Sequence, residues 1–133
     1  MDKISIDETL VKLLEEDDDD LLFLNHNLIS KYGLEAAALI AVLMDRLAVY
    51  RKNNNILESK GFSITDVELA VYSGIKFNRI SEIKDLCIEK KLFTVRKNIE
   101  TKELYYKLNE KKISKIILDK KEKIKVPPFK KNL

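Results

Sequence analysis

Hydrophobic positions along this chain change period several times, and each change marks an element. Ile6, Leu10, Leu13 and Leu14 form one apolar stripe of a short helix, which runs into the acidic block Glu15–Asp20. Leu21–Leu24 is a short apolar run, a strand or the entry to a helix, and Asn25 can cap a helix over His26–Lys31 that ends at Gly33. From Leu34 to Met44 every residue except Glu35 is apolar, and the helical pattern continues to about Lys52. A helix apolar on nearly all sides must be buried on more than one side. Asn53–Asn55 breaks it, Ile56–Lys60 reads as a loop or weak hairpin, and Gly61–Ile64 reads as a short strand. The next helix, reaching about Tyr72, can be capped by Ser63 or Thr65. Glu68 stands three residues after Thr65, the spacing of a capping box, and Val67, Leu69, Ala70 and Val71 would supply apolar contacts. Gly74 sits where a helix ends in a left-handed residue, and Ile75 follows as a buried turn residue. Lys76–Lys91 fits another helix, with Ile80, Ile83 and Cys87 on one face and Lys76, Asn78, Arg79, Glu82 and Lys84 facing outward. The period then shortens to two: Leu92–Val95 and Leu104–Leu108 are β-prone runs around the polar tip Asn98–Lys102. Asn109 to about Lys125 is a last helix, with Ile113, Ile116, Ile117 and Ile124 at helical spacing, stopped by Val126-Pro127-Pro128-Phe129 before a loose tail.

Helix, tight turn, helix, hairpin over Ser63–Lys107 is the order of a winged helix-turn-helix. The fold class expected is therefore mainly α with a small antiparallel β-sheet (α+β). The strand at Gly61–Ile64 would pair with the hairpin into three strands. Residues 1–20 form an acidic segment, 21–109 a winged-helix domain carried on N-terminal platform helices, and 110–133 a basic helix and tail.

Charge sharpens this division. Residues 1–60 hold 7 Lys/Arg against 12 Asp/Glu, and residues 61–133 hold 18 against 10. The half with the helix-turn-helix is the basic half, the footprint a nucleic-acid binder needs. The acidic block reads as solvated surface; a second reading is an arm that covers the basic half when no DNA is bound. Over residues 110–125, lysines fill most positions between the isoleucines, so this helix reads either as a dimerisation surface or as a basic arm along phosphates. It lacks the large aromatics of a membrane-surface helix. The longest apolar run, Ala36–Met44, is too short for a membrane span. The opening MDKISIDETL has no basic-then-apolar leader, which points to a cytoplasmic protein. One cysteine, Cys87, excludes an internal disulfide and reads as a buried structural thiol. The single histidine, His26, has no companion ligand. No phosphate-binding glycine loop, paired-cysteine zinc pattern or HExxH motif occurs. We expect no enzyme activity, no cofactor and no metal.

The stretch YGLEAAALIAVLMDRLAVYRKNNN, then GFSITDVELAVYSGIKFNRISEIKDLCIEKKLF, then a hairpin ending in LYYKLN, resembles winged-helix domains of replication-initiator and related regulator proteins. These are carried by phages and plasmids of low-GC Gram-positive bacteria. The resemblance covers about Leu21–Asn109. It implies sequence-specific binding of double-stranded DNA in replication, DNA transfer or transcription control. The helix Lys76–Lys91 would enter the major groove, with Lys76, Phe77, Asn78, Arg79 and Lys84 at the contact. Thr65 would hold a phosphate through its N–H or hydroxyl. Arg96, Lys97, Asn98 and Lys102 on the wing would touch backbone or minor groove. A homodimer through helix 34–52 or helix 110–125, or a protein partner in a replication or transfer complex, fits the same family. Phe77, Glu82 and Asp85 suit an alternative, a winged-helix protein-interaction module that does not bind DNA.

Overall fold

The computed structural model describes residues 22–53 and 61–119. The expected Ile6–Leu14 stripe, the acidic block, the Ile56–Lys60 loop, the helix beyond Asp119 and the tail lie outside them. Within the described residues the order is α1 (His26–Tyr32), α2 (Leu34–Lys52), β1 (Phe62–Ser63), α3 (Asp66–Ser73), α4 (Phe77–Glu89), β2 (Phe93–Lys97), β3 (Leu104–Leu108) and α5 (Glu110–Leu118). This is the α+β architecture expected, with a three-stranded antiparallel sheet in the order β1-β3-β2.

Helix α2 is the centre. Every residue from Ala36 to Leu43 is buried, because α1, α3, α4 and β1 all pack around it. Four alanines and four larger aliphatics let those neighbours approach on all sides. Truncating Leu39, Ile40 or Leu43 to alanine would cost about 2–5 kcal/mol each. Helix α1 starts where the sequence says it should: Asn25 Oδ1 accepts the Leu28 N–H at 3.1 Å. Its buried Asn27 then does something that no periodicity reveals. Asn27 Nδ2 donates to the carbonyls of Ile116, Ile117 and Asp119 at 2.9, 3.2 and 3.0 Å. These carbonyls lie at the end of α5, where Ile116 O also accepts the Asp119 N–H at 3.2 Å, so one side chain pins the last described helix to the platform. Ile113 and Ile116 on α5 are buried in the same chain.

The turn between α3 and α4 follows the sequence closely. Gly74 adopts φ 78° and ψ 4° and donates its N–H to Ala70 O at 2.9 Å, and Ile75 is buried behind it. At φ +84°, Gly61 lies so close to the Tyr106 carbonyl that any Cβ there would collide with it. That close approach lets β1 pair with β3 through Phe62 and Ser63. Phe62, Phe93 and Tyr106 form the aromatic seam between sheet and helices, with Phe93 and Tyr106 centroids 5.5 Å apart.

Two expectations are corrected here. Val67 and Val71 do not contribute to the core; they are 60% and 71% exposed. They stand four residues apart on the face of α3 opposite Leu69, and so short a helix buries only one line of residues. Lys84 does not face outward. It lies one turn after Ile80 and shares the stripe of Ile83 and Cys87, so the same spacing that buries them draws Lys84 in, to 9% exposure.

Candidate nucleic-acid interface

Two elements carry the residues singled out in the sequence, the helix-turn-helix and the hairpin, and they treat their cations differently. At the start of α3, Thr65 is fully engaged. Its Oγ1 accepts the Glu68 N–H at 3.1 Å, and its own N–H donates to Glu68 Oε1 at 2.9 Å. The capping box is complete, so the N–H expected to meet a phosphate is already satisfied. Arg46 pairs with Glu68 at 3.2 Å. The Thr65 backbone N–H first, and then Arg46, hold the Glu68 carboxyl below its ordinary range against the opposing effect of burial.

Helix α4 begins at Lys76, an N-cap without a side-chain cap bond. Lys76, Phe77, Asn78 and Ser81 are exposed. Arg79 is held. Its Nε and Nη2 donate to the two carboxylate oxygens of Glu35, at the start of α2, at 2.8 and 2.6 Å, and Nη1 reaches Glu82 at 3.2 Å. This fork-on-fork geometry is the strong form of an arginine–carboxylate pair. It lowers the Glu35 pKa and raises that of Arg79. Lys84 donates to Asp66 Oδ1 at 2.8 Å and lies over the Tyr106 ring at 5.4 Å. Burial pulls the Lys84 pKa down, but Asp66 and Tyr106 outweigh it and the net shift is upward. Beyond Arg79 the open side of α4 is acidic. Glu35, Glu82, Asp85 and Glu89 line an open groove of about 530 Å³ between α4 and the α1–α2 junction. Cys87, inside the helix pair, is fully buried, and burial pushes its thiol up to about 12.

The hairpin is the opposite case. Strand alternation turns Phe93 and Val95 toward the core and Thr94 and Arg96 away from it. Arg96 faces Tyr105 across the ladder and Lys97 faces Leu104, so the two cations stand on opposite faces of the wing. Lys76, Arg96, Lys97 and Lys102 are all exposed, and none has an ion-pair partner among the described residues. Asn98 is not a free contact. Its Oδ1 accepts the N–H groups of Glu100 and Thr101 at 2.9 and 3.1 Å, an Asx-type lock on the tip. Lys102 at φ 64° closes the turn and donates its N–H to Asn98 O at 2.7 Å. Within the tip expected to be polar, Ile99 is 91% exposed at the apex, a candidate that the sequence pattern does not single out. The signal available was simply a β-branched apolar residue where turn chemistry favours polar ones.

Neither a protein-family model nor a curated protein matches the sequence. Among solved structures, the chain is similar to one described as the N-terminal domain of a DNA binding protein. The TM-score is 0.54 and identity 18%, over 86% of this chain and 94% of that one. At that identity the likeness speaks to the fold.

Proposed function

We propose that the protein is a cytoplasmic, non-enzymatic, sequence-specific double-stranded DNA-binding protein. It holds duplex DNA through the start of α4 and through the wing. The observation that carries this reading is the set of free cations, Lys76, Arg96, Lys97 and Lys102, on those two elements. Its support is the α+β fold, shared with a structure described as part of a DNA binding protein. In this arrangement Asn78 is the base reader, since an asparagine amide pairs bidentately with adenine in the major groove. Lys76 and the wing cations bind phosphates and set the register. The acidic half of α4, Glu82 to Glu89, stays outside the groove, where phosphates would repel it. A role in replication, transfer or transcription control of a plasmid or phage rests on the sequence resemblance alone.

The test is binding of the purified chain to duplex fragments of its own genome at several salt concentrations. Four phosphate contacts give a log–log salt slope of about −3.6, so affinity should fall on the order of 10²-fold between 50 and 200 mM salt. Selection of an inverted repeat would add a two-fold dimer to the reading. One specific observation favours a second reading. Phe77 at 60% exposure, with Val67 and Val71 also open, is apolar surface on the helix-turn-helix itself. If varied duplexes at low salt show no binding, a protein-interaction module takes the place of the DNA reader.

A further inference from the structure

We propose that Ile99 is an apolar wedge that enters the minor groove and partly unstacks one base step, so that the protein bends the DNA it binds. This rests on the DNA-binding reading above and adds to it a second mode of recognition, by deformability rather than base edges.

Three features of the hairpin point to it. First, the tip needs nothing from the Ile99 side chain. Asn98 Oδ1 holds Glu100 and Thr101, Asn98 N–H donates to Glu103 O at 2.8 Å, and Lys102 N–H donates back to Asn98 O. The turn is fixed by backbone and Asn98, and a polar residue would serve it as well as Ile99. Second, the side chain is presented rather than packed, 91% exposed at the apex of a two-stranded ribbon. A branched aliphatic on a locked turn loses little freedom when it inserts. Third, cations stand before and after it in the hairpin, and they outnumber the exposed acids Glu100 and Glu103 of the tip. Arg96 and Lys97 stand on opposite faces of the strand leading to the tip, and Lys102 follows it. Such a ribbon can rest a cation on the phosphates of each strand bordering a minor groove about 6 Å wide, leaving the apex over the groove floor. Apolar side chains pushed between base steps from that side kink duplexes by roughly 20–90° toward the major groove. Pyrimidine–purine steps such as TA unstack most readily, so the wedge would favour sites with such a step under the wing.

The experiment uses the full chain and end-labelled duplexes of about 30 base pairs, each with 2-aminopurine in one TA step at varied positions. Energy transfer between the ends reports bending, 2-aminopurine fluorescence reports unstacking, and fluorescence anisotropy reports binding. The wild-type protein should shorten the end-to-end distance and brighten 2-aminopurine at one position only. Ile99→Ser should abolish both signals while weakening binding roughly 3–10-fold, because the cost of unstacking, no longer incurred, offsets most of the lost aliphatic burial. Ile99→Leu should keep them. If wild type binds without brightening 2-aminopurine, or if Ile99→Ser bends DNA as well as wild type does, the wedge is wrong and the DNA-binding reading stands. If wild type fails to bind any duplex at 50 mM salt, the DNA-binding reading fails and the wedge falls with it.

Discussion

Helix α4 and the wing both carry basic residues, yet they offer them to a partner very differently. On α4, Arg79 is clamped by Glu35 and Glu82, and Lys84 is drawn under the helix to Asp66. The surface left open there is Lys76 at the N-cap, then Phe77, Asn78, Ser81 and a row of carboxylates. On the wing, Arg96 and Lys97 straddle a strand, Lys102 follows the tip, and no carboxylate pairs with them among the described residues. A helix needs its i, i+3 and i+4 positions for packing and ion pairs, so cations placed there are spent within the fold. A two-stranded ribbon has one face and a tip that pack on nothing, and its cations stay available. Counting charge along a sequence misses this difference, because the count treats both as equally free.

The largest effect expected is at the wing. Arg96→Ala with Lys97→Ala should lower duplex affinity roughly 30-fold at 0.15 M salt, two phosphate contacts at a slope near 0.9 each. The salt slope should flatten by about 2. Arg79→Ala, by contrast, should change affinity less than about 3-fold, since that guanidinium is already committed. Anisotropy titrations at four salt concentrations measure both. Equal losses for the two variants would erase the distinction between helix and wing. Next comes a change in stability with no change in the salt slope. Asp66→Ala leaves the Lys84 ammonium without its carboxylate under α4, at a cost of about 1–2 kcal/mol. That is less than for a fully buried pair, because Asp66 keeps contact with water. Urea denaturation should show the lower midpoint, and Lys84→Met should recover part of it by replacing the buried charge with an apolar chain.

Much of this architecture was legible in the sequence, and the parts that were not share a cause. The α3–α4 turn was readable because its signals are local: Thr65 with Glu68, and Gly74 at the helix end. Helix α2 was readable because eleven positions with a single polar exception leave no other burial pattern. The three-stranded sheet followed from the hairpin and the run Gly61–Ile64, while its order β1-β3-β2 came from the structure. The burial of Lys84 is legible in its spacing, since it lies on the Ile80–Cys87 stripe, although its charge alone argues for the surface. What sequence could not supply is partnership between distant residues. Glu35 meets Arg79 across 44 positions, and Asn27 meets the end of α5 across about 90. Neither contact leaves a local pattern. The first decides whether Arg79 remains for a ligand, so the candidate site was less readable than the fold that holds it.

Glu35 offers the sharpest way to move α4 toward the behaviour of the wing. Glu35→Gln removes the stronger of the two carboxylates holding Arg79 and leaves Glu82, whose side chain is more exposed. Arg79 then becomes able to reach a phosphate. Duplex affinity should rise roughly 3–5-fold at 0.15 M salt and the salt slope should steepen by up to 1. An unchanged slope would mean that Arg79 points away from DNA even when freed.

The same contact predicts a small dependence of stability on acid. Hydrogen bonding from Arg79 first, and its charge as well, hold the folded Glu35 carboxyl below its ordinary value of 4.5, and Glu110 is lowered in the same way by Arg51. A carboxyl with a depressed folded pKa favours the folded state at pH above 4.5. That contribution is lost as the pH falls through the lowered value, when both states become protonated. Urea midpoints of the wild-type protein should therefore decline below about pH 4.5, in the window set by these lowered carboxylates. Glu35→Gln should decline less steeply, because glutamine has no proton to take up. Both side chains are solvent-exposed, so the difference between the two curves should be modest and shrink in 1 M salt, where screening weakens exposed pairs. Parallel curves would mean that the Glu35–Arg79 pair is not maintained in solution, and Arg79 would then rejoin the wing residues as a cation free for DNA.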